Sequence, residues 1–249
     1  MRVLFVVIFI VVSSCKKGGE SPTAQQVVNK AIEKACNGNC ERATVQFNFR
    51  KNTYKSTRLG GSYTLERTVV DSTGKRHDVV TNEGLKRFLN GAAVAVADSL
   101  VAQISDGVNS VHYFAQLPYG LNAPAVQKEY IGINKIKGRP YHEISVTFTE
   151  RGGGTDFDDT FLYWVHTDNF TVDYLAYKYA ANGGGVRFRE AYNPRVVSGM
   201  RFVDYNNYKP KDKNTPLVQL APMFGAGELQ LLSKIEIENI VVTLLDGPL

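Results

Sequence analysis

The sequence predicts a mainly β protein organised around a large antiparallel sheet, with a few helices against it. Three observations carry this. Apolar and polar residues alternate with period two through most of the chain beyond residue 43, which is the signature of half-buried strands. Short turn signals separate the runs: Gly60-Gly61, Asn90-Gly91, Gly152-Gly153-Gly154, Asn182-Gly183-Gly184-Gly185 and Ser198-Gly199. Connections of that kind make antiparallel neighbours. Many of the 13 Tyr and 13 Phe also fall inside these runs.

In chain order, the first element is an address rather than part of the fold. Arg2 precedes ten apolar residues, Val3 to Val12, about half of the roughly 20 needed to cross a bilayer core. A charged start, a short apolar run and small residues mark a secretory signal. Val12-Ser13-Ser14-Cys15 resembles the lipobox of bacterial lipoproteins, in which the cysteine is acylated and becomes the new N-terminus. An ordinary secretory peptide followed by a chance cysteine is the plainer alternative. The expected organisation is a signal peptide over 1–14, a lipidated tether over 15–22 and a single β-rich domain over 23–249. Lys16 and Lys17 would then lie beside lipid headgroups, where basic residues are favoured. Losing Arg2 with the signal takes the formal charge from +5 to +4. The expected location is the cell envelope, membrane-anchored, with the periplasmic side favoured over the cell surface.

One helix is evident near the start. Thr23 and Gln26 have capping-box spacing, and Val27, Val28, Ala31, Ile32, Ala35 and Cys36 recur at helical intervals until Asn37-Gly38 ends the pattern. Cys36 and Cys40 stand in ACNGNCE, where an oxidising compartment permits a disulfide. Two free thiols, or a metal or redox site, are the other readings. Closing so short a loop would stabilise by about 2 kcal/mol. Strands follow. Val45, Phe47 and Phe49 share one face of TVQFNFR, and Ile144, Val146 and Phe148 share one face of YHEISVTFT. Further runs cover 62–71, 77–81, 159–166, 171–180, 186–192, 199–208 and 232–243, with helical patches at about 98–117 and 217–231.

In FLYWVH, Phe161, Tyr163 and Val165 oppose Leu162 and Trp164; in DYLAYKYA, Tyr174 and Ala176 oppose Leu175, Tyr177 and Tyr179. A sheet with one face in water alternates more cleanly than this. Apolar content on both faces points to core packing on one side and a cover, cavity or partner on the other; a plain two-layer core with Tyr hydroxyls reaching solvent is the alternative.

Composition bounds the function by exclusion. Hydrophobic content of 43% and charged content of 21% are those of an ordinary globular chain. The basic residues are scattered, whereas a nucleic-acid footprint needs a basic stripe. No HExxH, GxSxG, Walker loop or GxGxxG turn occurs, and His77, His112, His142 and His166 lack short metal-ligand spacing. No cofactor and no metal are expected. Asp156, Asp158 and Asp159 form the best acidic cluster, a solvated loop tip before it is a cation site. Arg187 and Arg189 share a strand face, with Arg195 and Arg201 near in sequence. Such a stripe is suited to a lipid phosphate or carboxylate, or to pairing with Glu190 and Asp204.

Several stretches together resemble an uncharacterised family of bacterial envelope lipoproteins, a domain of unknown function. They include VNSVHYFAQLPYGLNAPAV (108–126), IKGRPYHEISVTF (136–148), GGGTDFDDTFLYWV (152–165), DYLAYKY (173–179), GGGVRFREAYNPRVVSGMRFVDY (183–205) and LLSKIEIENI (231–240). The architecture is also similar to the lipoprotein-carrier superfamily of LolA and LppX. That likeness implies a curved half-barrel with helices on its concave face, which holds acyl chains. The leading expectation is therefore a non-enzymatic protein binding an acyl chain or other hydrophobic ligand. Phe47, Phe49, Tyr113, Phe114, Tyr163, Trp164, Tyr174, Tyr177, Phe188 and Phe202 are candidate lining residues, with Arg187 and Arg189 for a headgroup. The alternative is an accessory lipoprotein that docks on an envelope protein complex through an aromatic sheet face. A hydrolase assembled from distant residues is a third reading, and it requires His112, His142 or His166 to meet a carboxylate in a cleft.

Overall fold

The computed structural model describes residues 21–151, 157–180 and 183–246. The expected signal peptide, the acylated Cys15, most of the tether and Asp156 of the acidic cluster lie outside these residues. The chain is mainly β and antiparallel, as its alternation predicts, but its strands divide between two seven-stranded sheets. The first holds β1 (Arg42–Phe49), β2 (Asn52–Leu59), β3 (Ser62–Asp71), β4 (Gly74–Thr81), β5 (Gly84–Leu89) and β6 (Ala92–Val94). The second holds β7 (Val126–Ile136), β8 (Arg139–Phe148), β9 (Thr160–His166), β10 (Val172–Tyr179), β11 (Gly185–Val197), β12 (Met200–Lys209) and β13 (Gln230–Ile235). The last strand, β14 (Ile237–Leu244), returns to the first sheet and pairs with β1. No barrel closes.

The run expected over 232–243 thus belongs to both sheets, and Glu236 separates its two halves. Asp204, buried on β12, holds this crossing. Its Oδ1 accepts from Ile237 N at 3.0 Å and from Arg195 Nη2 at 2.7 Å, while Arg195 Nη2 also donates to Ile237 O at 2.5 Å. A register shift in β11 between Tyr192 and Arg195 sets up this reach; extra residues in one strand re-aim the side chains beyond them. Asn193 sits inside the bulge with φ 48° and donates to Asp204 Oδ2 at 2.7 Å.

Helix α1 (Ala24–Cys36) begins with the expected capping box, in which Thr23 Oγ1 accepts from Gln26 N at 3.2 Å and Gln26 Oε1 accepts from Thr23 N at 2.8 Å. It ends on Asn37 in the left-handed conformation, φ 48°. The structure joins Cys36 to Cys40 across Cα atoms 5.2 Å apart. Val27, Val28 and Ala31 of α1 pack on Ile144, Val146, Val165 and Val203 of the second sheet. On the opposite face, α3 (Leu217–Gly225) lays Leu220, Ala221 and Phe224 over Trp164, Tyr174 and Phe188. This second layer accounts for the two apolar faces of β9 and β10. Helix α2 (Asp98–Ala115) buries Val108 against Leu65 and Val80 of the first sheet. Among the described residues no helix is long and apolar enough to cross a membrane.

Candidate functional site

The C-terminal half of α2 touches both sheets because successive residues on a helix face different directions. His112 points to the first sheet, where its ring meets Phe47 and Tyr54 edge-on at 5.7 and 5.6 Å between centroids. Tyr113 and Phe114 point to the second. Tyr113 Oη lies 2.7 Å from Tyr163 Oη, and the Phe114 ring meets Tyr177 at 5.6 Å and Phe161 at 6.3 Å.

Between this half-helix and the seam of the two sheets lies a cavity of about 150 Å³, lined chiefly by Phe49, Val111, Phe114, Val203, Tyr205 and Ile237. A second hollow, about 160 Å³, is lined by Tyr113, Phe148, Phe161 and Tyr177 together with the polar Asp106, Asn109 and Asp159. Phe114 and Ser110 line both, so Phe114 is the partition between them. A third space of about 390 Å³ shares Tyr113 and Phe148 with the second but adds the polar Glu41, Arg58, His112 and Gln116. The larger groove of about 730 Å³ beside α1 is lined mainly by charged side chains, among them Lys30, Glu33, Lys34 and Arg201.

On the side of α2 that faces the second sheet, the neighbouring side chains are neutral phenols and phenyl rings apart from Arg189, while Arg58 lies beside His112 on the other side. Burial pushes the Tyr113 and Tyr163 phenols well above their ordinary range and Tyr205 up to about 12. Burial also lowers His112 to about 4; the hydrogen bond to the Glu66 carbonyl opposes this and the Arg58 guanidinium adds to it. The exception is Arg189, 7% exposed, whose guanidinium lies 3.9 Å from the Phe114 centroid and 5.0 Å from that of Tyr177. Its Nη2 donates to Tyr177 Oη at 2.8 Å, and its Nε has no partner among the described residues.

The expected lining residues do not converge on one space. Phe49, Tyr113, Phe114 and Tyr177 line the cavities flanking α2. Tyr163 lies buried behind Tyr113, and Phe47 and Phe202 are wholly buried where the sheets meet. Trp164, Tyr174 and Phe188 point the other way, beneath α3, because side chains one position apart on a strand take opposite faces. Sequence reasoning passed over Val111, Val203, Tyr205 and Ile237. Selecting aromatics favoured ring size over position; the period-two pattern that placed Phe202 on one face also placed Val203 and Tyr205, separated by two, on the other.

The arginine stripe divides residue by residue. Arg195 pairs with Asp204 at 2.7 Å and Arg201 with Asp173 at 3.6 Å. Glu190 pairs with Lys137 at 2.8 Å and accepts from Asn206 Nδ2 at 3.2 Å, and among the described residues it pairs with no arginine. Arg187 stacks on Tyr179 at 5.0 Å and donates to Val186 O at 2.9 Å.

The histidines do not assemble a hydrolytic centre among the described residues. His112 Nε2 meets the Glu66 carbonyl at 3.1 Å, and His142 Nδ1 meets Tyr130 Oη at 3.1 Å. His166 Nδ1 accepts from Asp168 N at 3.2 Å. His77 Nε2 meets Glu66 Oε2 at 2.8 Å, and this pair lines none of the cavities above. No group of three His, Cys, Asp or Glu side chains is placed to hold a metal ion among the described residues.

A family model described as a family of unknown function, DUF6503, matches residues 2–238. No curated protein matches the chain. Among solved structures, a LolA superfamily protein from Nitrosomonas europaea superposes with a TM-score of 0.50 at 14% identity, over 92% of this chain and 96% of that one. A DUF1329 family protein from Desulfovibrio piger reaches 0.49 at 10% identity, over 76% and 88%. The lipoprotein LppX from Mycobacterium tuberculosis reaches 0.28 at 11% identity, over 64% and 89%. The first of these establishes a shared fold; likeness at that identity carries no ligand across.

Proposed function

This chain belongs to the DUF6503 family, and on that footing we propose that it is a non-enzymatic, lipid-anchored envelope protein that holds an acyl chain or other hydrophobic ligand beside α2. The observation that carries the reading is the apolar cavity at the seam of the two sheets, roofed by Val111 and Phe114 of α2. A LolA-superfamily-like fold supports it, since carriage of a hydrophobic ligand is what such an open, helix-covered sheet is suited to. Acylation at Cys15, facing the periplasm, belongs to the same proposal and rests on the lipobox-like VSSC.

The energetics suit an apolar guest. Each buried methylene contributes about 0.8 kcal/mol, so a chain needs few polar contacts. A cavity of about 150 Å³ lined by aliphatic and Phe side chains is large enough for benzene. The space at the seam therefore takes a short alkyl segment, and a full acyl chain must run on past Phe114 into the neighbouring hollow. Docking through an aromatic sheet face has less support, because Trp164, Tyr174 and Phe188 are covered by α3.

The test is native mass spectrometry of the purified chain, with organic extraction of what accompanies it. We expect lipid at near one per chain, and loss of it in Val111→Asp and Phe49→Lys variants whose circular dichroism is unchanged. Lipid content unaltered in both folded variants would contradict the proposal.

A further inference from the structure

We infer that Arg189 is the anchor for the oxyanion head of a single-chain amphiphile, a carboxylate or a phosphate monoester, whose tail begins in the seam cavity and runs on past Phe114. The inference rests on the apolar-ligand reading above and adds to it the chemical class of the ligand. It starts from an imbalance. A guanidinium is a permanent cation with five N–H donors and no acceptor, and buried charges in proteins are paired. Arg189 is 93% buried by complement of its 7% exposure, yet none of the ion pairs among the described residues includes it. The carboxylates nearest to it in sequence and across the strands are occupied: Glu190 by Lys137, Asp204 by Arg195 and Asp173 by Arg201.

What surrounds the charge is aromatic. Phe114, Tyr177 and Tyr205 present rings at 3.9, 5.0 and 5.9 Å from the guanidinium carbon. Ring faces attract a cation but accept none of its hydrogen bonds in the manner of an oxyanion. Tyr177 Oη takes one, and Nε is left buried with none among the described residues. Among the described residues the same side chain is the only charged one lining the seam cavity, whose other walls include Phe49, Val111, Val203 and Ile237. One unmatched cation at the wall of an otherwise apolar space is the complement of one anion at the end of a hydrocarbon. Charge-assisted bonds from arginine to carboxylate or phosphate are short and directional, and exclusion of water strengthens them. Arg187, whose Nη1 donates to Val186 O and whose guanidinium stacks on Tyr179, lines no part of this cavity and is left out of the assignment.

The full chain, stripped of lipid, is titrated with three probes of equal tail length: palmitate, hexadecyl phosphate and hexadecanol. Isothermal calorimetry reads affinity for wild type, Arg189→Met and Arg189→Lys, with a thermal melt for each. The expected result is that at least one anion binds wild type ten-fold or more tighter than hexadecanol, and the tighter anion identifies the head. In Arg189→Met that preference falls below two-fold while hexadecanol binding persists; Arg189→Lys keeps part of it. The comparison in wild type stands even if the methionine variant is unstable. Equal binding of all three probes to wild type would overturn the anchor and leave the apolar-ligand reading intact. Binding of none of them would overturn the apolar-ligand reading itself.

Discussion

Two buried polar side chains, His112 of α2 and Asp78 of β4, show how single residues set the response to acid. His112 carries its proton on the nitrogen facing the Glu66 carbonyl, 3.1 Å away, and burial lowers it to about 4. An unfolded His titrates near 6.5, so the folded pKa is depressed. Stability contributed by neutral His112 is present above pH 6.5 and lost as pH falls towards 4, an effect of about 3 kcal/mol in total. Asp78 acts lower on the scale. Burial works against its charge, but Arg87 at 2.5 Å and Arg67 at 2.8 Å outweigh it and hold the carboxylate below the usual range. Its contribution is present above about pH 4 and disappears as pH falls through the depressed value. Urea melts from pH 7 to 4 should show a steady loss of stability that His112→Gln flattens, and that Asp78→Asn leaves in place. Asp78→Asn should instead cost about 3 kcal/mol at pH 7, near the low end for a broken buried pair, since both guanidiniums keep about a fifth of their surface in water. An unflattened profile in His112→Gln would contradict the assignment.

Among the elements, α3 and α2 cover different faces and should separate stability from binding. Phe224 of α3 stacks on Phe188 at 4.7 Å and on the Trp164–Tyr174 side of the second sheet. Phe224→Ala should destabilise by about 3 kcal/mol with lipid content unchanged, checked by chemical denaturation beside the extraction assay; loss of lipid in the folded variant would place the ligand under α3. The same two faces explain what the sequence could disclose. Alternation over 161–165 of β9 and 174–177 of β10 is strong enough to assign each side chain to its face, though a register shift before Tyr174 turns Val172 to the Leu175 face, and α1 declares both ends through Thr23, Gln26 and Asn37. Strand β2 does not declare itself. Its inward positions are Tyr54, Ser56 and Arg58, and Ser56, fully buried, is satisfied by Gln116 Nε2 at 2.8 Å on the chain beyond α2. An apolar-periodicity argument passes over a strand whose buried face is polar. Strand β7 hides for a different reason: it is an edge strand with Ile131 and Ile133 exposed and a register shift before Gly132.

At the scale of the molecule, the site exists because one run of sequence serves two sheets. Residues 232–243 read as a single strand, and nothing local marks the crossing at Glu236. It is fixed by Asp204 and Arg195, more than 30 positions away in sequence. Side chains on either side of that crossing, Ile235 and Ile237, both line the seam cavity, which α2 roofs from a distant part of the chain. Aromatic content announces that a second covered face exists, yet it cannot say which rings share a space, since that depends on the pairing of the sheets. The most direct test of the account is to locate the ligand. A palmitate bearing a diazirine along its tail is bound to the purified protein, activated by light, and mapped by peptide mass spectrometry. The account predicts labels on β1, α2 and the β12–β14 seam, at residues such as Phe49, Val111 and Ile237. Labels concentrated on α3 and the Trp164 face, or spread without preference over the surface, would contradict it.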